Sequence, residues 1–232
     1  MRLVKQKTTL KVKNILETSR TGKRGAHKHS SLLPDSVRCI IWGPSNCGKT
    51  NVMLSLITEE NGLKFNNLYV YSKSLYQPKY KFLEDVMNKV RGVKYFQYAE
   101  NDNILDPSEA SENSVFIFDD VACDKQDKIR SYFSMGRHKA VDSFNLCQTY
   151  TRIPKHLIRD NANFIILFKQ DDLNLRHIYD DHVGTDMSFD QFKCVCAESW
   201  KDRYGFLTID KDSDVGEGGR YRKMFDHYIC YL

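Results

Sequence analysis

Apolar positions along the chain fall into short runs separated by segments of helical period. After thirty-six residues without a sustained apolar pattern, Cys39-Ile40-Ile41-Trp42 forms a run ended by Gly43 and Pro44, as a buried strand is. The pattern then predicts a helix over Asn51 to Glu59, a strand over Leu68 to Tyr71, and a helix over Lys79 to Val90 with Phe82, Leu83, Val86 and Val90 on one face. Further strands are predicted at Val93 to Tyr98, Val115 to Phe118, Phe144 to Cys147 and Phe164 to Phe168, with a helix at Asp127 to Phe133. Beyond Asp171 the pattern predicts a helix over Leu173 to Asp181 and an extended segment over Arg203 to Ile209. Apolar strands alternating with helices imply an α/β fold with a mainly parallel sheet covered on both faces. The expected organisation is an arm over 1–36, one domain over 37–210, and a polar, Gly-rich loop with an aromatic tail over 211–232.

A length of 232 residues suits one such core with extensions. No apolar run approaches the roughly 20 residues that span a bilayer, and no secretory pattern opens the chain, so a soluble, intracellular protein without a membrane partner is expected. The seven cysteines are odd in number and scattered, which favours reduced thiols. Cys194 and Cys196, on an expected strand, fall on one face and pack. The net charge of +5 is uneven: residues 1–38 hold ten Lys or Arg against Glu17 and Asp35. An arm that binds a polyanion and a solvated tail are both compatible with that excess.

The chemistry begins where the first strand ends. Gly43-Pro44-Ser45-Asn46-Cys47-Gly48-Lys49-Thr50 matches G-x-x-x-x-G-K-[ST] at every fixed position, with a strand before and a helix after. The glycines let successive backbone N–H groups turn inward, and the helix amino end adds positive potential, so the loop cradles phosphate. Lys49 is expected to reach the β and γ phosphates of ATP, and Thr50 to ligate Mg²⁺.

About seventy residues later Val115-Phe116-Ile117-Phe118 delivers Asp119 and Asp120 to the carboxyl edge of the sheet. There Asp119 can hold Mg²⁺ through water and Asp120 can orient or deprotonate the attacking water. Gln148 ends its own strand; if that strand lies between the phosphate-loop strand and the acidic strand, its amide senses the γ-phosphate. Arg137, in Gly136-Arg137-His138, and Arg159, in Ile158-Arg159-Asp160-Asn161, are candidates for transition-state charge or for DNA phosphate.

The phosphate loop, Phe118-Asp119-Asp120, Gly136-Arg137-His138, Gln148, and Arg152-Ile153-Pro154 through Asn161 occur in an order that resembles the poxvirus-type DNA-packaging ATPases of the FtsK/HerA superfamily. Those proteins also occur in large DNA viruses, virophages and Maverick/Polinton elements. The resemblance spans residues 37–170 and implies a P-loop NTPase with a RecA/FtsK-like ASCE core, an arginine finger at Arg137, a homo-oligomeric ring, and double-stranded DNA threaded toward a capsid, with a capsid protein as a further partner. It implies work at sites of virus assembly, in host cytoplasm or nucleus. Many superfamily members carry Glu where this chain has Asp120.

Other signals are weaker. Asp210-Lys211-Asp212-Ser213-Asp214 lacks the glycine that a calcium loop requires at its sixth place, where Val215 stands. His177 and His182, five residues apart, fall off a common helical face, which argues against a shared metal, and read as a solvated helix end. Tyr69, Tyr71, Tyr95, Phe96 and Tyr98 read as core and edge packing. A translocating ATPase therefore competes with a small-molecule or nucleoside kinase and with an ATP-gated adaptor that does not turn over.

Overall fold

The computed structural model describes residues 28–99, 104–119, 121, 126–135, 140–153, 155–215 and 219–230. Among these, the strands are β1 (Arg38–Trp42), β2 (Asn67–Ser72), β3 (Lys94–Tyr98), β4 (Ser114–Asp119), β5 (Val141–Cys147), β6 (Phe164–Phe168), β7 (Phe206–Asp210), β8 (Tyr221–Lys223) and β9 (His227–Tyr228). The α-helices are α1 (Lys49–Thr58), α2 (Pro78–Met87), α3 (Gln126–Met135), α4 (Asp172–Ile178) and α5 (Phe189–Ser199). The strands form one sheet in the order β3-β2-β4-β5-β1-β6-β7-β8-β9, parallel through β6 and antiparallel beyond it.

Every residue of β2, β5 and β6 is buried, as is every residue of β1 after Arg38 and of β4 before Asp119. Strands covered on both faces favour near-continuous apolar runs, as at Cys39–Trp42, Val115–Phe118 and Phe164–Phe168, whereas β5 also buries Asp142, Ser143 and Asn145. Ile40 and Trp42 point to a layer built by α3, α4 and α5, while Cys39 and Ile41 point to one built by α1 and α2. On the first face Tyr69 stacks on Phe96 and Phe116, with ring centroids 4.7 and 4.3 Å apart, and Tyr71 stacks on Tyr98 at 4.8 Å, so these aromatics pack within the sheet as expected.

Four expectations need correction. Helix α2 buries Tyr80, Leu83 and Met87, whereas Phe82 and Val90 are exposed: the 80, 83, 87 spacing makes the stripe that packs on the core, and Val90 lies beyond the end of the helix at Met87. Residues 189–199 are a helix rather than a strand, so Cys194 is exposed while Cys196 is buried. That helix is fixed at its start by a reciprocal cap, with the Ser188 side chain accepting from the Gln191 N–H and the Gln191 side chain accepting from the Ser188 N–H. Within the expected tail, Tyr221–Lys223 and His227–Tyr228 extend the sheet, and Arg222 is buried against Asp210 at 2.6 Å.

Finally, residues 28–36 pack against the domain rather than forming part of an arm. Asp142, fully buried at the start of β5, takes hydrogen bonds from Lys28 Nζ at 2.6 Å and from the Val37 N–H at 2.8 Å, and lies 3.1 Å from His29 Nε2. A buried carboxylate requires such partners, and this one ties the segment to the amino edge of the sheet. Residues 1–27 lie outside the described residues. No helix among the described residues is long and apolar enough to cross a membrane.

Candidate nucleotide site

The site is built around the end of β1. Gly43 donates its N–H to the Cys147 carbonyl at 3.3 Å, and a Cβ at Gly43 would lie 2.6 Å from both Cys47 Sγ and Phe168 Cβ. Only glycine lets the loop lie this close to the sheet. The turn is completed by Asn46 and Gly48 in left-handed conformations, with φ of 61° and 115°. Gly48 caps α1 without a side-chain hydrogen bond, so the amide groups of the first turn are left to face an anion. The Lys49 ammonium is held by the loop itself, donating to the carbonyls of Gly43 at 2.7 Å and Pro44 at 2.9 Å. Burial raises the Cys47 thiol above its ordinary value, with the Lys49 and Lys79 ammonium groups opposing the shift.

Strand order brings the remaining groups in. β5 lies between β1 and β4, the arrangement under which Gln148 was expected to sense phosphate. The pocket at this carboxyl edge takes Ser45, Asn46, Gly48, Lys49 and Thr50 from the loop and α1, Asp119 from the end of β4, and Gln148 from the end of β5. Trp42 holds the backbone at Gln148 by donating Nε1–H to its carbonyl at 3.1 Å, and packs against Tyr150 with centroids 4.9 Å apart and the rings tilted by 31°.

The β2–α2 connection supplies a part of the site that the sequence pattern did not single out. Ser74, Gln77 and Lys79 line the same pocket. Tyr80, in the first turn of α2, donates its hydroxyl to Asp119 Oδ2 and receives a hydrogen bond from Ser72. Burial, then the Asp119 carboxylate, raise the Tyr80 hydroxyl above its ordinary value, which keeps it a proton donor. The signal was there in outline: a segment leaving the carboxyl end of a parallel strand near the phosphate-loop strand reaches the ligand crevice of such a sheet.

Thr50 and Asp119 offer a hydroxyl and a carboxylate in one pocket, hard oxygen donors of the kind Mg²⁺ takes alongside phosphate and water. Among the described residues no group of three or more His, Cys, Asp or Glu could hold a metal on its own. Arg159 is committed elsewhere. It donates to Asp181 Oδ2 at 2.7 Å and lies over the Tyr150 ring, 4.8 Å from its centroid. His182 is likewise no solvated helix end: it is buried, with Nε2 2.6 Å from the Tyr150 hydroxyl and Nδ1 3.3 Å from Lys211 Nζ. Asp120 and Arg137 lie outside the described residues.

The profile of the family described as Poxvirus A32 protein matches residues 25–187. Among solved structures, the genome packaging NTPase B204 from Sulfolobus turreted icosahedral virus 2 in complex with sulfate is similar at 16% identity and a TM-score of 0.56, over 85% of this chain and 98% of that one. The same protein in complex with ATP-gammaS matches at 14% identity and a TM-score of 0.52, over 85% and 98% of the two chains. B204 described as the DNA-packaging ATPase from Sulfolobus Turreted Icosahedral Virus matches at 14% identity and a TM-score of 0.52, over 84% and 97%. At these identities the likeness is one of fold, and the fold is the P-loop NTPase expected from the motifs. No curated protein matches.

Proposed function

We propose that this chain, which belongs to the poxvirus A32 protein family, hydrolyses ATP and couples turnover to the movement of double-stranded DNA during genome packaging into a capsid. The observation that carries this reading is the strand order β4-β5-β1, which gathers Asp119, Gln148 and Lys49 into one pocket with the start of α1, where Gly48 supplies no side-chain cap.

The β and γ phosphates lie along residues 43–50, and their oxygens replace the Gly43 and Pro44 carbonyls as acceptors for Lys49. Thr50 and Asp119 hold Mg²⁺, which when bound neutralises charge on the phosphates. Asp120 takes a proton from water as that water's oxygen bonds to the γ-phosphorus and the bond to the β-phosphate oxygen breaks, releasing ADP and phosphate. Gln148 contacts the γ-phosphate and Trp42 fixes its backbone. Arg137 acts from a neighbouring subunit of a homo-oligomeric ring on the charge of the transferring group. Residues 1–27 bear the basic arm, residues 28–210 with the strands added at 221–228 form the ATPase domain, and the protein works inside the host cell where particles assemble.

The test is ATP turnover with and without long double-stranded DNA. Stimulation by DNA is expected. Phosphate transfer to a nucleoside in place of water would make the protein a kinase, and tight ATP binding without turnover would make it an adaptor.

A further inference from the structure

The pocket just described accounts for phosphate and metal but leaves the nucleoside end of the ligand without a seat. Asp119 and Gln148 lie on the β5 side of β1, so the γ-phosphate end of a bound nucleotide must face that side. The base must then leave the loop toward the other flank, where β6 and β7 run.

On that flank, among the described residues, the ring of Tyr204 stands in the open. A Cβ at Gly48 would lie 3.8 Å from Cδ1 of Tyr204 and 3.5 Å from Cε1 of Phe168. Phe168 is buried and forms the floor under the loop, packed on Phe206 with centroids 5.5 Å apart. Tyr204 is 52% exposed, although it stands against a glycine of the phosphate loop. The Arg203 guanidinium lies over its ring, 5.3 Å from the centroid. A large aromatic side chain held at the rim of a ligand crevice, with a cation on one face, is poorly explained by packing alone.

The turn that carries it is rigid. Trp200 donates its indole N–H to the Leu167 carbonyl at 3.0 Å, which ties the end of α5 to β6. The Gly205 N–H closes on the Asp202 carbonyl at 3.0 Å, and a Cβ at Gly205 would lie 2.3 Å from the Ser199 carbonyl oxygen. Asp202 pairs with Lys223 of β8 at 2.8 Å. The turn is thus fastened to β6, to α5 and to the carboxy-terminal strands, so the added strands have a use: they brace the segment that presents Tyr204.

We propose that Tyr204, backed by Arg203, is the platform on which the nucleobase of the bound nucleoside triphosphate stacks. This rests on the reading of residues 43–50 as a phosphate site and extends it to the other end of the ligand. Stacking needs only a π face, so the platform favours purines by their area and discriminates weakly between adenine and guanine.

Equilibrium binding of ATP, CTP and inorganic tripolyphosphate, each with Mg²⁺, to the wild-type protein and to Tyr204→Ala and Tyr204→Phe tests it. Tyr204→Ala should bind ATP about 5- to 100-fold more weakly, the range that loss of one base–aromatic stack produces. Its tripolyphosphate affinity should be unchanged, CTP should lose less than ATP, and Tyr204→Phe should behave as wild type. Equal ATP affinity in Tyr204→Ala, or an equal loss for ATP and tripolyphosphate, overturns the platform. If the wild-type protein binds neither ATP nor tripolyphosphate, it is the phosphate site that fails, a distinct outcome.

Discussion

The hydroxyl of Tyr80 donates to Asp119, so the acid at the end of β4 is oriented by a residue thirty-nine positions earlier in the chain, on a helix of the opposite layer. The proposed metal acid is therefore fixed by the packing of α2 as well as by the sheet. Tyr80→Phe removes the hydroxyl and keeps the ring. Turnover should fall about 10- to 100-fold, the usual cost of losing a group that orients a metal ligand, and the Mg²⁺ concentration for half-maximal rate should rise. Nucleotide binding in excess chelator should be unaffected. An unchanged Mg²⁺ dependence would show that Tyr80 only fills space.

Two ammonium groups line the pocket, Lys49 from the loop and Lys79 from the start of α2. They should separate on substitution. Lys49→Ala should abolish turnover, because its ammonium alone springs from the loop that wraps the phosphates. Lys79→Ala should raise the KM for ATP roughly tenfold with a smaller change in kcat, as expected for one charge-assisted hydrogen bond that serves binding. Steady-state kinetics on both variants, with ATP up to saturation, distinguish the two roles. Near wild-type kinetics in Lys49→Ala would remove the site assignment altogether.

Much of this site was legible in the sequence, for a physical reason. Residues 43–50 and Asp119 sit at the ends of strands buried on both faces, where an unbroken apolar run marks the strand and its last residue marks the edge. Lys79 and Tyr80 reach the site through a connection whose course depends on how α2 packs, and no local pattern records that. Helix α5 is a different case. Phe192, Val195, Cys196 and Ser199 have the spacing of a helical face, and Ser188 with Gln191 is a start signal, so the helix is legible in the sequence although a strand was expected there. Strands β8 and β9, three and two residues long, are too short to show a period.

Buried His182 makes stability depend on pH. The distances fit Lys211 donating to Nδ1, Nε2–H donating to Tyr150, and the Tyr150 hydroxyl donating to Asp181 at 3.1 Å, an order that needs a neutral ring. Burial, then the Lys211 ammonium, push His182 down to about 3. The unfolded chain takes up its proton near pH 6.5, so this contribution is full above that pH and is lost as pH falls toward 3. Between pH 7 and 5 the wild type should lose about 2 kcal/mol more stability than His182→Gln does, read from denaturant unfolding at both values. Parallel losses in the two proteins would show that the imidazole titrates normally.

Asp120 and Arg137 can be tested together. Asp120→Asn should keep ATP binding and lose about 10²-fold or more in turnover. Arg137→Ala should also be inactive, since arginine fingers contribute about 10³ to 10⁵ in rate. If Arg137 acts across a subunit boundary, mixed rings of the two variants contain sites with both residues intact and regain activity. Mixed rings that form and stay inactive would return Arg137 to a DNA-contacting or surface role.

The last prediction concerns residues 1–27, which carry eight Lys or Arg against Glu17 alone. Their point of departure is known: Lys28 Nζ binds Asp142 at 2.6 Å and the Ala140 carbonyl at 2.9 Å, and His29 Nδ1 accepts the Lys64 N–H at 3.0 Å. Asp142 is the second residue of β5, and Gln148 follows the last, so the arm joins the domain at the edge opposite the nucleotide pocket. Deleting residues 1–27 keeps this anchor, so the ATPase rate without DNA and the melting temperature should not change. If the arm neutralises DNA phosphates, binding should weaken and the slope of log K against log salt should become shallower by about 0.9 for each phosphate the deletion leaves unneutralised. Titrations of one long duplex at four or five salt concentrations, on the full chain and the deletion, give both slopes. Equal slopes would leave the charge excess as a solvated tail, and a fall in the DNA-free ATPase rate would mean that the arm acts on the domain itself.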